Sequence, residues 1–556
     1  MSVQEYLEKH LLSRKIEEAV NAAVRAKAPD PVLFIAGHMR RAAPAVITRV
    51  RARQILDGHG APAVEVELHT NKAIHRASAA GSGALEGAAA DAAGAAERRK
   101  ILAKVVADSV RMINDKVSEA LVGMDPQEQS QIDQAIMDLN KARHKAELGV
   151  GANAMLAVSI AACKAGAAEK EVPLYKHIAN LVGKSATTLP VPAITVINGG
   201  KHAGNGLPIQ EIMILPIGAK NFEEAMQMGS ETYHHLKVAF MSNILCWMHL
   251  YVSHISVVVH LYSYTWVQYV HQTVGNNHVS RSPERFAHFC RYLLTSYFYR
   301  MLFWRNMAQT AATLEIMVGL LQIFPGNISE GLDLVIAAIE RAGYNGRIKL
   351  AIDVAATDFC TGKKYDLEFK STKKSGQNFK TADDMIEIYS QLCSEYPLVS
   401  IEQPFDKDDW EHSKKLTTLE LCQVAGDDLL MSDPERIKRA VNEYTCNALV
   451  LKASINLSIR FLYMQANQVG TVTEAIEVVK QAKDAHWGVM VSHRSGDTED
   501  SFIADLAVGA SAGQIKAGAP CRGECLTNYN QLLRIEGELG SEGVYAGENW
   551  RTVNTS

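Results

Sequence analysis

The sequence predicts an α/β protein: a helical extension over residues 1–45, a small α+β domain over 46–188 and an (α/β)8 barrel over 189–556. Four short apolar runs carry the barrel. Lys349–Asp353 ends on Asp353, Leu398–Glu402 on Glu402, Gln423–Asp428 on the Asp427/Asp428 pair, and Ala448–Lys452 on a lysine. Helix-like segments of about ten to fifteen residues separate these runs, which is the rhythm of βα units. Alternating apolar residues before Thr70, followed by helical stretches to about Gly183, mark the smaller domain. In a barrel the carboxyl ends of the strands converge on one face. Three carboxylates meeting there form a hard-oxygen site suited to Mg2+. A lysine beside them is available as a base, its pKa lowered by the nearby metal charge.

Composition narrows the class. A chain of 556 residues is too long for one core, so two or three domains are expected. A net charge of −4 gives no reason to expect nucleic acid or an anionic membrane as a partner. The nine cysteines are scattered and odd in number, with no CxxC pair, which points to a reducing compartment. The charged, amphipathic N-terminus lacks the apolar stretch of a secretory signal, and the expected location is cytoplasmic.

The elements follow in order. Val3–Lys27 places Leu7, Leu11, Ile16, Val20 and Val24 on roughly one helical face, and Pro29 ends it. Asp30 then caps a second short helix with Pro31 at its first position and Val32, Phe34, Ile35 and Met39 available for packing. Two such helices are marginal alone and need a partner surface. They resemble the helical dimerisation-and-docking hairpins that pair into four-helix bundles. Val46–Thr70 reads as strands, Ser78–Glu97 as an alanine- and glycine-rich loop running into a helix, and Arg98 to about Gly183 as helices. Leu189-Pro190-Val191-Pro192 marks the passage into the barrel.

Two stretches break this grammar. Val238–Ser280 contains no Asp, Glu, Lys or Arg, and Phe240–Val270 has membrane length, yet His249, His254 and His260 interrupt it. A membrane span there would tear the barrel in half, so translated non-coding sequence is the better account of an insert at about 238–326. Back-translated and read one nucleotide earlier, Met307–Gln322 permits Tyr-Gly-x-Asp-Cys-Cys-Asn-Val-Gly-Asp-x-Gly-Gly-Phe-Ala-Pro. A smaller intrusion, about 454–466, separates Lys452 from Asn467-Gln468-Val469-Gly470.

Leu189–Asn205 (LPVPAITVINGGKHAGN), Gln210–Pro216 (QEIMILP), Ser400–His412, Gly426–Leu430, Gly488–Asp505 (GVMVSHRSGDTEDSFIAD) and Gln514–Arg522 (QIKAGAPCR) resemble the enolases, and the similarity covers most of residues 46–556. The resemblance implies a TIM-like barrel and the Mg2+-dependent dehydration of 2-phosphoglycerate to phosphoenolpyruvate, with a phosphorylated small molecule as substrate and a homodimer as the assembly. It implies Asp353, Glu402 and Asp427 as metal ligands, with Asp428 beside them, and Lys452 as the base. Glu211 is implied as a further catalytic group that also meets the substrate. His202 joins it in the pocket, His493-Arg494-Ser495 clamps the phosphate, and Lys516 holds the substrate carboxylate. A planar guanidinium suits bidentate phosphate binding, and a hydroxyl adds a donor.

Some positions depart from the family. Gly58 replaces a serine which the resemblance would make a ligand of a second magnesium, so an oxygen is expected to be missing. The loop Ser78–Gly87 lacks the Ser-Gly-Ala-Ser-Thr-Gly closing signature, and the acid segment near residues 307–322 is absent as written. These departures leave two alternatives to the enzyme: an enolase-like scaffold acting through residues 1–45, or the product of a mis-spliced gene.

Overall fold

The computed structural model describes residues 2–80, 92–141, 152–183, 187–203, 205–239, 327–370, 379–452, 470–494 and 496–552. The anomalous stretches at 240–326 and 453–469, with Met307–Gln322 among them, lie outside the described residues, as do most of the 78–87 loop and Ser495.

The extension forms three helices rather than two: α1 (Val3–Lys9), α2 (Leu12–Ala26) and α3 (Pro31–Ala42). The expected continuous helix over Val3–Lys27 breaks at Leu11, whose backbone is left-handed (φ 48, ψ 30). Asp30 caps α3 as expected, accepting a hydrogen bond from the Leu33 amide at 3.0 Å, with Pro31 at the first helical position. α2 packs on α3 mainly through small residues, burying Ala19 and Ala23. Val24, Val32 and Leu33 stay 70–76% exposed.

The smaller domain begins with an antiparallel sheet of β1 (Ile47–Leu56), β2 (Pro62–Thr70) and β3 (Ile74–Ala79). β3 extends over Ser78 and Ala79, the first residues of the stretch that the sequence suggested as a loop. Asp57 makes the β1–β2 turn: its Oδ1 accepts from the amides of His59 and Ala61, both at 2.9 Å. The sheet packs on α4 (Ala92–Met112) and on α6 (Ala152–Glu169), with α5 (Gln129–Lys141) and α7 (Leu174–Val182) completing the layer. α6 is mostly apolar and, up to Ala167, almost wholly buried, which makes it the spine of this domain.

The barrel closes on eight strands: β4 (Val191–Asn198), β5 (Glu211–Leu215), β6 (Lys349–Asp353), β7 (Leu398–Glu402), β8 (Gln423–Gly426), β9 (Ala448–Lys452), β10 (Gly488–Ser492) and β11 (Gly513–Lys516). Neighbours around the ring run β7-β8-β9-β10-β11-β4-β5-β6. β5 is antiparallel to both neighbours. Residues 199–210 explain it: among the described residues they hold one 3-10 turn at Gly200–His202 and no α-helix, so nothing carries the chain back for a parallel return. Outer helices include α8 over 222–239, α9 (Ile328–Ala342), α10 (Ala382–Glu395), α11 (Trp410–Thr418), α12 (Pro434–Glu443), α13 (Val472–Asp484), α14 (Phe502–Gly509) and α15 (Gly523–Leu539).

The barrel interior is filled. Val191, Met213, Ala351, Ala425, Val450 and Met490 form one apolar layer. A polar layer joins it, in which the Gln423 amide donates to Ser400 Oγ and Gln514 Oε1, both at 3.0 Å. Gly488 lets these strands approach, since a Cβ there would lie 2.7 Å from Gln423 Oε1.

Candidate active site

Strand direction delivers the site. Asp353, Glu402 and Lys452 end β6, β7 and β9, Lys516 ends β11, and Asp427 follows β8 directly. Because β5 runs the other way, its first residue, Glu211, reaches the same rim, paired with Asp353. In the ladder Asp353 also lies beside Glu402, and Ser492 between Lys452 and Lys516. The six charged groups therefore share one face, as the sequence implied.

Buried charge dominates this face. Asp353 and Glu402 are each 1% exposed and Lys516 3%. Lys516 Nζ sits 2.8 Å from Asp353 Oδ2, 3.0 Å from Glu402 Oε2 and 2.9 Å from Glu211 Oε2. Lys452 pairs with Asp427. Burial pushes the Glu402 carboxyl well above the usual carboxylate range, and the charges of Asp353 and Asp427 push the same way. Asp428, raised to about 6 by burial and by Asp427, shares this acidic surplus. The ammonium of Lys516, held by Asp353, Glu211 and Glu402, stays protonated far above the ordinary lysine range despite its burial. Asp427 and Glu402 hold Lys452 protonated in the same way.

The loops at this rim are tightly fixed. Ala355 and Gln403 have left-handed backbones (φ 47 and 49) just past Asp353 and Glu402. The Ala355 amide donates to Asp353 Oδ1 at 3.1 Å and orients that carboxylate, and the Val354 amide donates to the Glu402 backbone carbonyl at 2.9 Å, tying the two loops together.

The expected clamp lies alongside. The His493 amide donates to the Lys516 carbonyl at 2.8 Å. The imidazole is driven down to about 3 by burial and by Lys516, Lys452 and Arg522, so it is neutral. His493 Nδ1 and Arg494 Nη1 are buried without a hydrogen-bonding partner, two polar atoms available to a ligand. His202 is placed by its backbone on the Gly200–His202 turn at this rim.

A Cβ at Gly58 would meet Glu524 Oε1 at 2.7 Å and the Asp497 carbonyl at 3.1 Å. Gly58 is a joint between the domains. Its amide donates to the Asp497 carbonyl at 3.0 Å, and its carbonyl accepts from Arg522 Nη2 at 2.8 Å. Arg522 Nε in turn lies 2.8 Å from Glu524 Oε1.

Sequence reasoning missed Lys370, whose Nζ donates to the carbonyls of Ala203 and Asn205 at 2.8 and 2.9 Å and so holds the loop after His202. It also missed Asp133. Nothing in the sequence separates that carboxylate from those on exposed helix faces.

Among the described residues no three His, Cys, Asp or Glu side chains converge as a metal cage, because Lys516 stands between Asp353, Glu402 and Glu211. The chemistry nonetheless fits a divalent cation. The donors are hard carboxylate oxygens, Glu402 Oε1 is buried without a partner, and burial together with the charges of Asp353 and Asp427 raises Glu402.

Comparison with known proteins places the whole chain. Residues 47–178 match the family described as "Enolase, N-terminal domain", and residues 186–244 and 325–554 match "Enolase, C-terminal TIM barrel domain". The break between 244 and 325 falls on the stretch that the sequence marks as foreign to the barrel. "Cytosolic enolase 3" of Arabidopsis thaliana is 53% identical over 551 residues, covering 99% of each chain. "Enolase" of Solanum lycopersicum is 43% identical over 521 residues, and "Enolase 2" of Hevea brasiliensis 42% over 525; each comparison covers 91% of this chain and 98% of the relative.

Proposed function

The chain belongs to the enolase family, and from that premise we propose how its residues carry out the phosphopyruvate hydratase reaction, the reversible dehydration of 2-phospho-D-glycerate to phosphoenolpyruvate. The observation that carries the reading is the rim itself, where Glu211, Asp353, Glu402, Asp427, Lys452 and Lys516 share one buried face. Asp353, Glu402 and Asp427 are the residues that would hold Mg2+. When bound, the cation supplies positive charge against the negative charge that builds on the substrate's carboxylate oxygens as its α-proton leaves. Enolase-superfamily sites in general combine a lysine or histidine base with one or two Mg2+ ions.

The protein groups divide the remaining work. Lys452 takes the proton from the carbon that carries the phosphate. It must be neutral to do so, and its pairing with Asp427 keeps it charged, so catalysis requires Asp427 to be engaged elsewhere. Lys516 binds the substrate carboxylate. Neutral His493, Arg494 and Ser495 hold the phosphate, and His202 lines the pocket. Glu211 supports departure of the hydroxyl as water. Buried in this way, the charges act with little screening from solvent.

Isotope exchange separates these roles. In D2O with Mg2+, the native protein should exchange the substrate's C2 proton and form phosphoenolpyruvate. Lys452→Ala should lose both by about 10²–10⁴-fold. Glu211→Gln should retain more exchange than elimination. Exchange at the native rate in Lys452→Ala would remove Lys452 as the base.

The assembly and location belong to the same reading. The protein is a homodimer, and the exposed apolar residues of α2 and α3 offer a docking surface in residues 1–45. A cytoplasmic location fits the free thiols and the printed name of the Arabidopsis relative. Among the described residues, no helix is long and apolar enough to cross a membrane.

A further inference from the structure

Beside the groups assigned to the reaction, the rim holds a lysine with an unusual set of partners. The loop at 199–210 carries His202 and is fixed at its base by backbone. The Gly199 amide donates to the Gln210 carbonyl at 2.8 Å, the Gly200 amide to the Leu207 carbonyl at 3.0 Å, and the Gln210 amide to the Asp353 carbonyl at 2.9 Å. Gly199 permits this closeness, since a Cβ there would lie 2.4 Å from the Ile209 carbonyl. The tip of the loop is held from elsewhere. Lys370 Nζ, on the chain that follows β6, donates to the carbonyls of Ala203 at 2.8 Å and Asn205 at 2.9 Å. These are the first and third residues after His202.

Burying an ammonium for such a tie carries a cost. Both acceptors are neutral carbonyls, and among the described residues no carboxylate pairs with Lys370. Burial alone lowers it from the ordinary lysine value to about 8. At neutral pH it therefore keeps its charge and gives up hydration without a counter-ion. What it gains is geometry, two acceptors fixed by one charged donor on a rigid footing. Its Nζ lies 5.8 Å from the centre of the Phe369 ring, which stacks on Phe359 at 5.8 Å. Phe359 is buried at the end of the short helix Ala356–Phe359, just past Asp353. Lys201, 3.9 Å from Asp358, adds only a partly exposed contact between the same loops. Resting on the hydratase reading above, we propose that Lys370 is a positioning residue: it fixes the tip of the 199–210 loop against the loop that follows Asp353, and so sets where His202 stands relative to the rim carboxylates.

The tie matters because both loops belong to the site. One follows β4 and holds His202; the other follows β6 and starts at Asp353, so a shift of either changes the space between them. A water bridging the two carbonyls would satisfy them equally well, but it would not register one loop against the other. Misplacement by about 1 Å at a reacting site costs up to about a hundredfold in rate, so a residue acting only through backbone can still govern turnover.

The test compares the full-length protein with Lys370→Met, which keeps an apolar stem and removes the donor, and with Lys370→Arg, which keeps charge and donors. In hydrogen exchange read by peptide mass spectrometry, the amides of 199–210 should exchange about tenfold faster in Lys370→Met, with the barrel strands unchanged. Its kcat/KM for 2-phosphoglycerate should fall about ten- to a hundredfold. Its melting midpoint should stay within about 2 °C of the native one, and Lys370→Arg should recover most of the lost activity. Combined with His202→Ala, Lys370→Met should lose no more than the worse of the two single variants, because both act at one place. The proposal is overturned if exchange in 199–210 is unchanged, if the two losses multiply, or if the midpoint falls in step with activity. A native protein without turnover would remove the hydratase reading, whereas the exchange measurement needs no turnover and decides the tie by itself.

Discussion

His177 is wholly buried in α7, and neither ring nitrogen has a hydrogen-bonding partner. Burial, with Lys170 adding to it, lowers its pKa from the ordinary 6.5 to about 4. Between those values the unfolded chain binds a proton that the folded one refuses. Stability therefore rises with pH through this window and is lost on acidification from 6.5 toward 4. His177→Gln should flatten that slope by up to about 1.4 kcal/mol per pH unit, measured by denaturant unfolding across the window. Identical slopes would show that some other group dominates. The rim behaves differently, since there the lysines Lys452 and Lys516 are held protonated by the carboxylates around them. Asp353, Glu402, Asp427 and Lys452 were legible in the sequence because each sits at or just after the end of an apolar run. His177 and Lys370 were not, because a buried polar side chain at an ordinary helix or loop position leaves no local pattern.

At the scale of elements, the two domains are joined by a helix end. α13 begins at Val472 on the barrel, yet its first free amides are satisfied by the smaller domain. Ser159 Oγ accepts from the Val472 amide at 2.9 Å, and Asp133 Oδ2 accepts from the Thr473 amide at 3.0 Å and from its hydroxyl at 2.6 Å. Gln129 also donates to Asp133, at 3.0 Å. Replacing Asp133 by Ala leaves several buried donors without an acceptor. It should cost about 2–4 kcal/mol, seen as a lower urea midpoint, while kcat changes little. A midpoint within error of the native one would mean that water replaces the carboxylate without loss. Helices and parallel strands were legible from their periods and caps. The reversal of β5 was not, because strand direction is set by the connection at 199–210 rather than by the five residues of the strand. The start of β3 was obscured by the low-complexity sequence that follows it.

For the whole molecule, the sequence did not reveal how loosely residues 1–45 are attached. Residues 1–45 touch the smaller domain through side chains such as Arg41, 3.0 Å from Glu171, and Arg40, which donates to the Lys72 carbonyl. Exposed ion pairs of this kind contribute little. A chain beginning at residue 46 should keep kcat and KM within about twofold, while its mass by light scattering beside that of the full-length protein reports whether the extension takes part in self-association. A tenfold loss of activity would instead tie the extension to catalysis. The central claim is that the carboxylates and lysines at the strand ends form a magnesium-dependent hydratase site. It is tested most directly by following phosphoenolpyruvate formation from 2-phosphoglycerate with the full-length protein, with and without Mg2+, beside Asp353→Ala. The account predicts turnover only with Mg2+ and a loss of at least about 10²-fold in the variant. Turnover without added metal in the presence of a chelator, or Mg2+-dependent turnover at the native rate in Asp353→Ala, would contradict it.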